Sequence, residues 1–143
     1  MKTRLFSLFI AAALLVALAA PSLATAAFSF RIRAEIPFEF MVGSKRLPKG
    51  EYLIEQTGDN GAVTIRHAKK GKSVIFTVVR GKMTDKPKSK LVFHRYGEQY
   101  FLARIWDGSS DTVLKLDKSG AEKKAAKLAK KEENPDEVPV NDK

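Results

Sequence analysis

The sequence predicts an all-β fold, an antiparallel sandwich or small barrel of about seven strands with a short C-terminal helix. Two observations lead to this prediction. Apolar segments recur at spacings of about eight to twelve residues between tight-turn signals, with no helical pattern between them. The longest segment, Phe28 to Val42, alternates apolar and polar residues, as a strand with one buried face does. One sequence does not give shear or strand order, so sandwich and barrel both stay open.

The N-terminus has the pattern of a cleavable signal peptide over residues 1–26. Lys2 and Arg4 provide positive charge, an apolar run extends from Leu5 to Ala20, and Ala24-Thr25-Ala26 supplies the small residues that a signal peptidase needs. We therefore predict export to the periplasm or the extracellular space, with cleavage after this segment. A retained membrane anchor is the alternative. It is disfavoured because spanning a bilayer takes about 20 apolar residues, and Pro21-Ser22 ends this run earlier.

The β domain is predicted over residues 27–117. Pro37 lacks a backbone donor, so the first alternating segment lies at a sheet edge there or is broken into two strands. The segment from Ser73 to Arg80 is apolar on both faces and is expected to neighbour the 90–106 hairpin in the sheet. Gly, Asn and Pro turns separate the remaining strands, which are predicted at Glu51–Gln56, Ala62–His67 and Thr112–Leu116.

The predicted organising element is a β-hairpin from Lys90 to Trp106 that turns at Gly97-Glu98. Glycine at the first central position suits a two-residue type II′ turn. Large apolar groups then stand on both faces, so the hairpin should be central and covered on both sides. The turn fixes a register that pairs Tyr96 with Gln99, Arg95 with Tyr100, His94 with Phe101, Phe93 with Leu102, and Val92 with Ala103.

The C-terminal part is predicted to be a helix within residues 118–132 and a disordered tail over residues 133–143. Ser119 and Glu122 have the spacing of a capping box, in which the hydroxyl and the carboxylate each satisfy a free backbone amide. The helix offers only alanines and Leu128 for packing, so it should contribute little stability. The tail carries two prolines and mixed charges with little to bury. Both segments should therefore be dispensable for stability.

Charge and composition limit the class of partner. The net charge of +10 falls to +8 without Lys2 and Arg4, and the chain has no cysteine for disulfides or thiol chemistry. A basic exported protein meets anionic envelope polymers and lipid head groups before it meets nucleic acid. We therefore expect an anionic envelope polymer or a carbohydrate as partner, peripheral contact with a membrane surface, and no nucleic acid. The sequence does not determine the oligomeric state.

Three ordered blocks carry a resemblance to known proteins: Ile36-Pro-Phe-Glu-Phe-Met-Val-Gly43, Leu47-Pro-Lys-Gly-Glu-Tyr52, and Lys90-Leu-Val-Phe-His-Arg-Tyr-Gly97 followed by Tyr100-Phe-Leu102 and Trp106. With them the chain resembles the short exported proteins of unknown function that occur in many copies in soil acidobacteria. This resemblance implies a signal peptide, one small β-rich domain and a charged C-terminal helix. It implies no activity and no catalytic residues.

The two histidines, His67 and His94, are candidates for metal binding or acid–base chemistry. The hairpin register places His94 among apolar neighbours, which favours a hydrogen-bonded core residue, and His67 next to Lys69 and Lys70 is expected to be exposed. A zinc site needs three or four ligands, and no paired histidine spacing exists, so no metal and no cofactor is predicted. The chain also lacks a Gly-x-Ser-x-Gly elbow and a phosphate loop. We predict a non-catalytic binding or structural module; the alternative is a small metal-dependent or hydrolytic enzyme using His94.

Two groups of residues are candidates for ligand binding. Aromatic and arginine side chains of the hairpin could form a platform for sugar rings, although such residues more often fill cores. Lysines of two loops, Lys69-Lys70-Lys72 and Lys82-Lys86-Lys88-Lys90, could form one anion-binding patch if the loops lie at the same end of the domain, although such lysines are more often solvated residues that also keep sheet edges from pairing. The candidates are Tyr96, Tyr100, Arg95, Arg104 and Trp106 in the first group, and Lys69, Lys70 and Lys72 in the second.

Overall fold

The computed structural model describes residues 28–58, 61–82, 88–108, 111–129 and 133–139. The predicted signal peptide lies outside this part of the chain. Within it, the elements in chain order are β1 Phe28–Ile36, β2 Phe40–Val42, β3 Lys45–Leu47, β4 Gly50–Thr57, β5 Ala62–His67, β6 Ser73–Thr77, β7 Val79–Lys82, β8 Lys90–Tyr96, β9 Gln99–Trp106, β10 Thr112–Lys115, α1 Gly120–Ala129 and β11 Glu133–Pro139.

These strands form two sheets that pack face to face. The N-terminal sheet has the order β1-β4-β5-β6, and the hairpin sheet has the order β11-β8-β9-β10-β7. Strand β2 pairs in parallel with β9 and antiparallel with β3, so β9 has β8 on one edge and both β10 and β2 on the other. The fold is an all-β sandwich with a short helix near its C-terminus, as the sequence predicts. The predicted count of about seven strands is too low, because the short β2, β3 and β7 were not separated out and the segment of β11 was predicted to be disordered.

The core lies between the two sheets and is mostly apolar, with Gln56 of β4 as a buried polar residue. The alternation of the first segment is confirmed from Phe30 onward, since its even-numbered side chains are buried or half-buried and the arginines and glutamates between them are exposed. The buried cluster includes Ile32, Ala34, Ile36, Phe40 and Val42 from this segment, Tyr52, Ile54, Val63 and Ile65 from β4 and β5, and Leu91, Phe93, Leu102 and Ile105 from the hairpin.

Pro37 marks the point where the chain leaves one sheet for the other. Strand β1 ends at Ile36 in the N-terminal sheet, and β2 begins at Phe40 in the hairpin sheet. The second of the two predicted alternatives, a strand broken at the proline, is therefore correct. Phe38 in the crossover packs edge-on against the Phe93 ring, with 5.1 Å between ring centroids, which anchors the crossover to the core.

The hairpin of β8 and β9 is central, with a β-bulge that the sequence did not reveal. Four of the five predicted pairs are present, from Tyr96↔Gln99 to Phe93↔Leu102. Beyond them Val92 pairs with Arg104, so Ala103 is the extra residue of the bulge and its carbonyl accepts a hydrogen bond from the Leu116 amide. Gly97 has a φ of 62°, as a primed two-residue turn requires.

Both faces of the hairpin are covered, as predicted. The inner face belongs to the core, and the outer face carries two smaller buried clusters. One outer cluster consists of Val92, Trp106 and Val113, and the other consists of Tyr96, Phe101 and Ala125 of helix α1. Helix α1 therefore acts as a partial third layer over the hairpin sheet.

The prediction for the segment from Ser73 to Arg80 is wrong. This segment changes sheets at Val78, so that β6 is the last strand of the N-terminal sheet and β7 is the last strand of the hairpin sheet. Neither strand neighbours the hairpin. The outward side chains of Ile75 and Val79 are exposed by 73% and 56%, because at a sheet edge an apolar side chain on the outer face has no layer above it.

The predicted tail disorder is also wrong over the residues that the structure describes. Strand β11 pairs antiparallel with β8 from Glu133↔Arg95 to Pro139↔Lys90, and Val138 is only 6% exposed as part of the main core cluster. Backbone pairing with the open edge of β8 and burial of Val138 stabilise this segment as a strand, and Pro139 stands at the strand end, where a missing donor costs least. Residues 140–143 lie outside the described part.

Candidate functional site

One concavity of the described residues is a groove where the open edges of the two sheets face each other. One wall is the hairpin of β2 and β3, residues 42–47, and the other is the start of β6, residues 72–76. The groove has a volume of about 600 Å³, which is in the range of small-ligand sites. We call it the edge groove.

Local sequence explains why the edge groove forms. Gly43 (φ 61°) allows the tight turn between β2 and β3, and Gly71 (φ 63°) allows the turn into β6. Strand β3 pairs only with β2, and β6 pairs only with β5, among the strands that the structure describes. Each wall is therefore built on a strand that has one free edge.

The chemistry of the edge groove is amphipathic and cationic. Its apolar lining includes the buried Val42 and Leu47, the half-buried Val74 and Phe76, and the exposed Ile75. Among the described residues that line it, three are cations and none is a carboxylate: Lys45, Arg46 and Lys72. Such a lining favours a ligand with negative charge and some apolar surface.

Arg46 is partly engaged on its other side. Its guanidinium lies 3.3 Å from the carboxylate of Glu39, and both side chains are more than half exposed. Exposed pairs of this kind contribute at most about 1 kcal/mol, so Glu39 competes only weakly with an anionic ligand. A smaller concavity of about 310 Å³, which includes Glu39, Arg46 and Tyr100, lies on that side of the β2–β3 hairpin.

Of the three predicted lysines, only Lys72 lines the edge groove. Lys69 and Lys70 are exposed on the turn that precedes it. Their backbone amides both donate to Nδ1 of His67, at 3.1 and 3.3 Å. Lys45 and Arg46 were missed as site residues, because nothing in one sequence shows that the β2–β3 turn faces the β5–β6 turn.

The predicted aromatic platform does not exist as one surface. Tyr96 is buried under α1, and Trp106 is buried on the outer face with Lys90 Nζ 4.4 Å from its ring centroid. Tyr100 stacks on Phe38, with 3.9 Å between ring centroids, and Arg95 lies over the same ring at 5.4 Å. These rings are therefore occupied by contacts within the domain, and Arg104 is left exposed on β9 by itself.

A second polar arrangement joins β8 to helix α1, and we call it the helix clamp. Glu122 is buried, and its Oε1 lies 2.7 Å from Nδ1 of His94. The Tyr96 hydroxyl also donates to this oxygen at 3.3 Å, and Lys118 Nζ donates to the Tyr96 hydroxyl at 2.9 Å. A carboxylate can only accept, so Nδ1 of His94 carries the proton. The clamp fixes the first turn of α1 on the outer face of the hairpin.

The helix clamp explains why the capping prediction was half right. The Glu122 amide donates to the Ser119 hydroxyl oxygen at 3.1 Å, as a capping box requires. The Glu122 carboxylate turns instead toward His94, because the hairpin presents a donor there. Leu128, expected to pack, is 76% exposed, and Ala125 makes the buried contact. Sequence spacing alone cannot distinguish these two uses of one glutamate.

The expected exposure of His67 is wrong: the residue is 5% exposed at the end of β5. Its Nδ1 accepts from the turn, and its ring packs 4.9 Å from the Tyr52 ring. Within the described residues, no group of three or more His, Asp or Glu side chains could hold a metal ion. No described helix is long and apolar enough to cross a membrane.

Comparison with known proteins gives no relative on which to model the site. No protein-family model matches the chain, and neither a curated protein nor a solved structure is significantly similar to it. The functional argument therefore depends on the chemistry of the site itself.

Proposed function

We propose that this protein is an exported, non-catalytic β domain that binds an anionic ligand of the cell envelope or the extracellular space in the edge groove. The observation that carries the proposal is the lining of the groove, which combines an apolar floor with three cations and no carboxylate among the described residues. The net charge supports it, because the chain without Lys2 and Arg4 still carries +8, and a positive field attracts anionic ligands to the domain. Export is the part of the proposal that comes from residues 1–26.

The alternative, an enzyme that uses His94, is the weaker proposal. A histidine held by a carboxylate does occur in catalytic sites, where the carboxylate orients the ring. Catalysis would also need space for a substrate next to the His94 ring. The edge groove does not provide it, because His94 is not among the residues that line the groove. The contacts of the helix clamp are instead those that dock a helix, since both partners are largely buried between α1 and β8.

Binding to two anionic polymers, alginate and poly-L-glutamate, tests the proposed function. Lys45→Glu combined with Lys72→Glu should weaken binding of both polymers about tenfold, since each exposed charge contributes about 0.5–1 kcal/mol. The matched control, Lys88→Glu with Lys123→Glu, changes the net charge equally at exposed positions that do not line the groove. It should keep affinity within about threefold.

Isothermal titration calorimetry at two salt concentrations would measure these affinities. Equal losses in the two double variants would show that net charge alone attracts the polymers, and the groove would not be the site. Absence of binding to either polymer by the unmodified chain would overturn the proposed function.

A further inference from the structure

We propose that the edge groove holds its ligand by strand addition: an extended acidic peptide segment pairs with the free edge of β6. This inference rests on the proposed function, because it names the class of ligand for the same groove. It goes further in assigning the specificity to backbone hydrogen bonds, which a polysaccharide cannot form in the same repeating pattern.

The direction of the β6 hydrogen bonds identifies the groups that a peptide would meet. The Val78 amide donates to the Gly61 carbonyl, and the His67 amide donates to the Lys72 carbonyl. Hydrogen-bonded pairs in an antiparallel ladder recur at every second residue. The backbone amides and carbonyls of Val74 and Phe76 therefore also point toward β5. The backbone amides and carbonyls of Ser73, Ile75 and Thr77 therefore point away from β5, toward the open edge.

Nothing in the composition of β6 protects this edge. Proteins commonly block an edge strand with lysine, proline or a bulge, since an open edge pairs with other chains. The β6 sequence, Ser-Val-Ile-Phe-Thr, contains no charge and no proline, and its register with β5 is regular. Among the described strands none covers it. An uncharged edge of five residues, with Ile75 73% exposed, is a surface that a partner strand fits.

Charge complementarity identifies the partner as an acidic peptide rather than a second copy of this chain. Alternate side chains of an added strand would point toward the apolar lining near Val74 and Phe76, and the carboxylates between them would be attracted by the positive charge of Lys45 and Lys72. Two copies joined through their β6 edges would bring together two domains that both carry a large positive net charge. Like charges across such an interface cost affinity, so self-pairing is disfavoured.

A proline substitution can remove one outward amide and leave the β5 ladder intact. Ile75→Pro deletes a donor that points to solvent, which is the position that tolerates proline in an edge strand. Ile75→Thr is the matched control, because it removes the same apolar side chain and keeps the amide. The probe is an acetylated and amidated eight-residue peptide of alternating glutamate and valine.

The two variants should separate backbone pairing from charge attraction. Ile75→Pro should weaken peptide binding at least about tenfold, and Ile75→Thr should stay within about threefold of the unmodified chain. Alginate binding should be unchanged in both variants. If the peptide binds Ile75→Pro as well as the unmodified chain, or if only alginate binds, strand addition is wrong and the proposed function still stands.

Amide hydrogen exchange on the unmodified chain gives a second measurement that does not depend on the proline variant folding. Adding the peptide should slow exchange at Ser73, Ile75 and Thr77 about tenfold or more, with less change at Val74 and Phe76, which already pair with β5. Equal protection of all five amides would contradict strand addition. A dimer in sedimentation that dissociates in Ile75→Pro would show that a second copy occupies the edge, and would also overturn the proposal.

Discussion

At the scale of single residues, the clearest lesson comes from His67 and Gly50. Proximity to two lysines suggested an exposed histidine, but the ring accepts hydrogen bonds from the turn amides and is buried against Gly50. Gly50 has a φ of 143°, and a Cβ there would lie 2.7 Å from Nε2 of His67. The glycine is thus required both by its backbone conformation and by the space that the imidazole fills.

Gly50→Ala should destabilise the domain by about 3 kcal/mol or more, since it adds backbone strain and a steric overlap at once. The matched control is Gly43→Ala, where φ is 61° and a Cβ would meet nothing within 4 Å. That change should cost about 1 kcal/mol, because only the left-handed conformation is penalised. Urea denaturation of both variants measures the difference. Equal costs would mean that the His67 ring moves away without penalty.

Tyr52 provides a prediction for alkaline pH. Its side chain is fully buried, and desolvation raises the pKa of its hydroxyl from 10 to about 12. The folded-state pKa is the higher one, so the neutral hydroxyl contributes stability that is complete below pH 10 and is lost as the pH rises from 10 through 12. The loss should reach about 2 to 3 kcal/mol.

Comparison with Tyr52→Phe isolates this contribution from the other titrating groups. At pH 9 the variant should be the less stable, because it lacks the hydrogen bond from the Tyr52 hydroxyl to the Pro48 carbonyl. As the pH rises from 10 to 12, the difference should shrink and then reverse. Urea midpoints for both proteins across this range test the prediction, and parallel pH curves would contradict it.

At the scale of elements, helix α1 is held by polar contacts more than by apolar burial. Its buried residues are Ala125 and Glu122, so Ala125 is the one buried apolar side chain among them. Burial of one alanine would leave a helix of this length only marginally stable. The helix clamp supplies what the apolar face lacks, since Glu122 accepts from two side chains of the hairpin. Docking of α1 therefore depends on one buried carboxylate.

Glu122→Gln should lower stability by about 1 to 3 kcal/mol, because it replaces a charge-assisted hydrogen bond and leaves buried donors less well satisfied. Glu98→Gln, at an exposed position of the β8–β9 turn, is the control and should change stability by less than about 0.5 kcal/mol. Amide exchange within α1 should also accelerate in Glu122→Gln. If the two variants behave alike, the clamp does not hold the helix.

At the scale of the whole molecule, the sequence was most informative where one physical signal dominated. The period of two from Phe28 to Val42, the break at Pro37 and the register set by Gly97 all appear in the structure. It was least informative about contacts between distant segments. The edge groove joins the β2–β3 turn to β6, and no local pattern encodes that approach. Likewise, the tail was predicted to be disordered because its intrinsic strand propensity is weak. Pairing with the edge of β8 stabilises the strand that the segment does not form by itself.

The tail therefore gives the prediction that concerns the entire sandwich. Removing residues 133–143 deletes the β11 ladder, opens the edge of β8 and takes Val138 out of the core. We expect the free energy of unfolding to fall by about 3 kcal/mol or more and the truncated chain to aggregate, because the exposed edge belongs to a central hairpin.

Glu137→Gln, which removes only the 2.7 Å ion pair with Lys90, is the control and should cost less than about 1 kcal/mol. Denaturation of both proteins, with light scattering to detect association, provides the measurement. A truncated chain as stable and monomeric as the full one would show that β8 tolerates an open edge, and β11 would then be an accessory strand and not part of the closed sandwich.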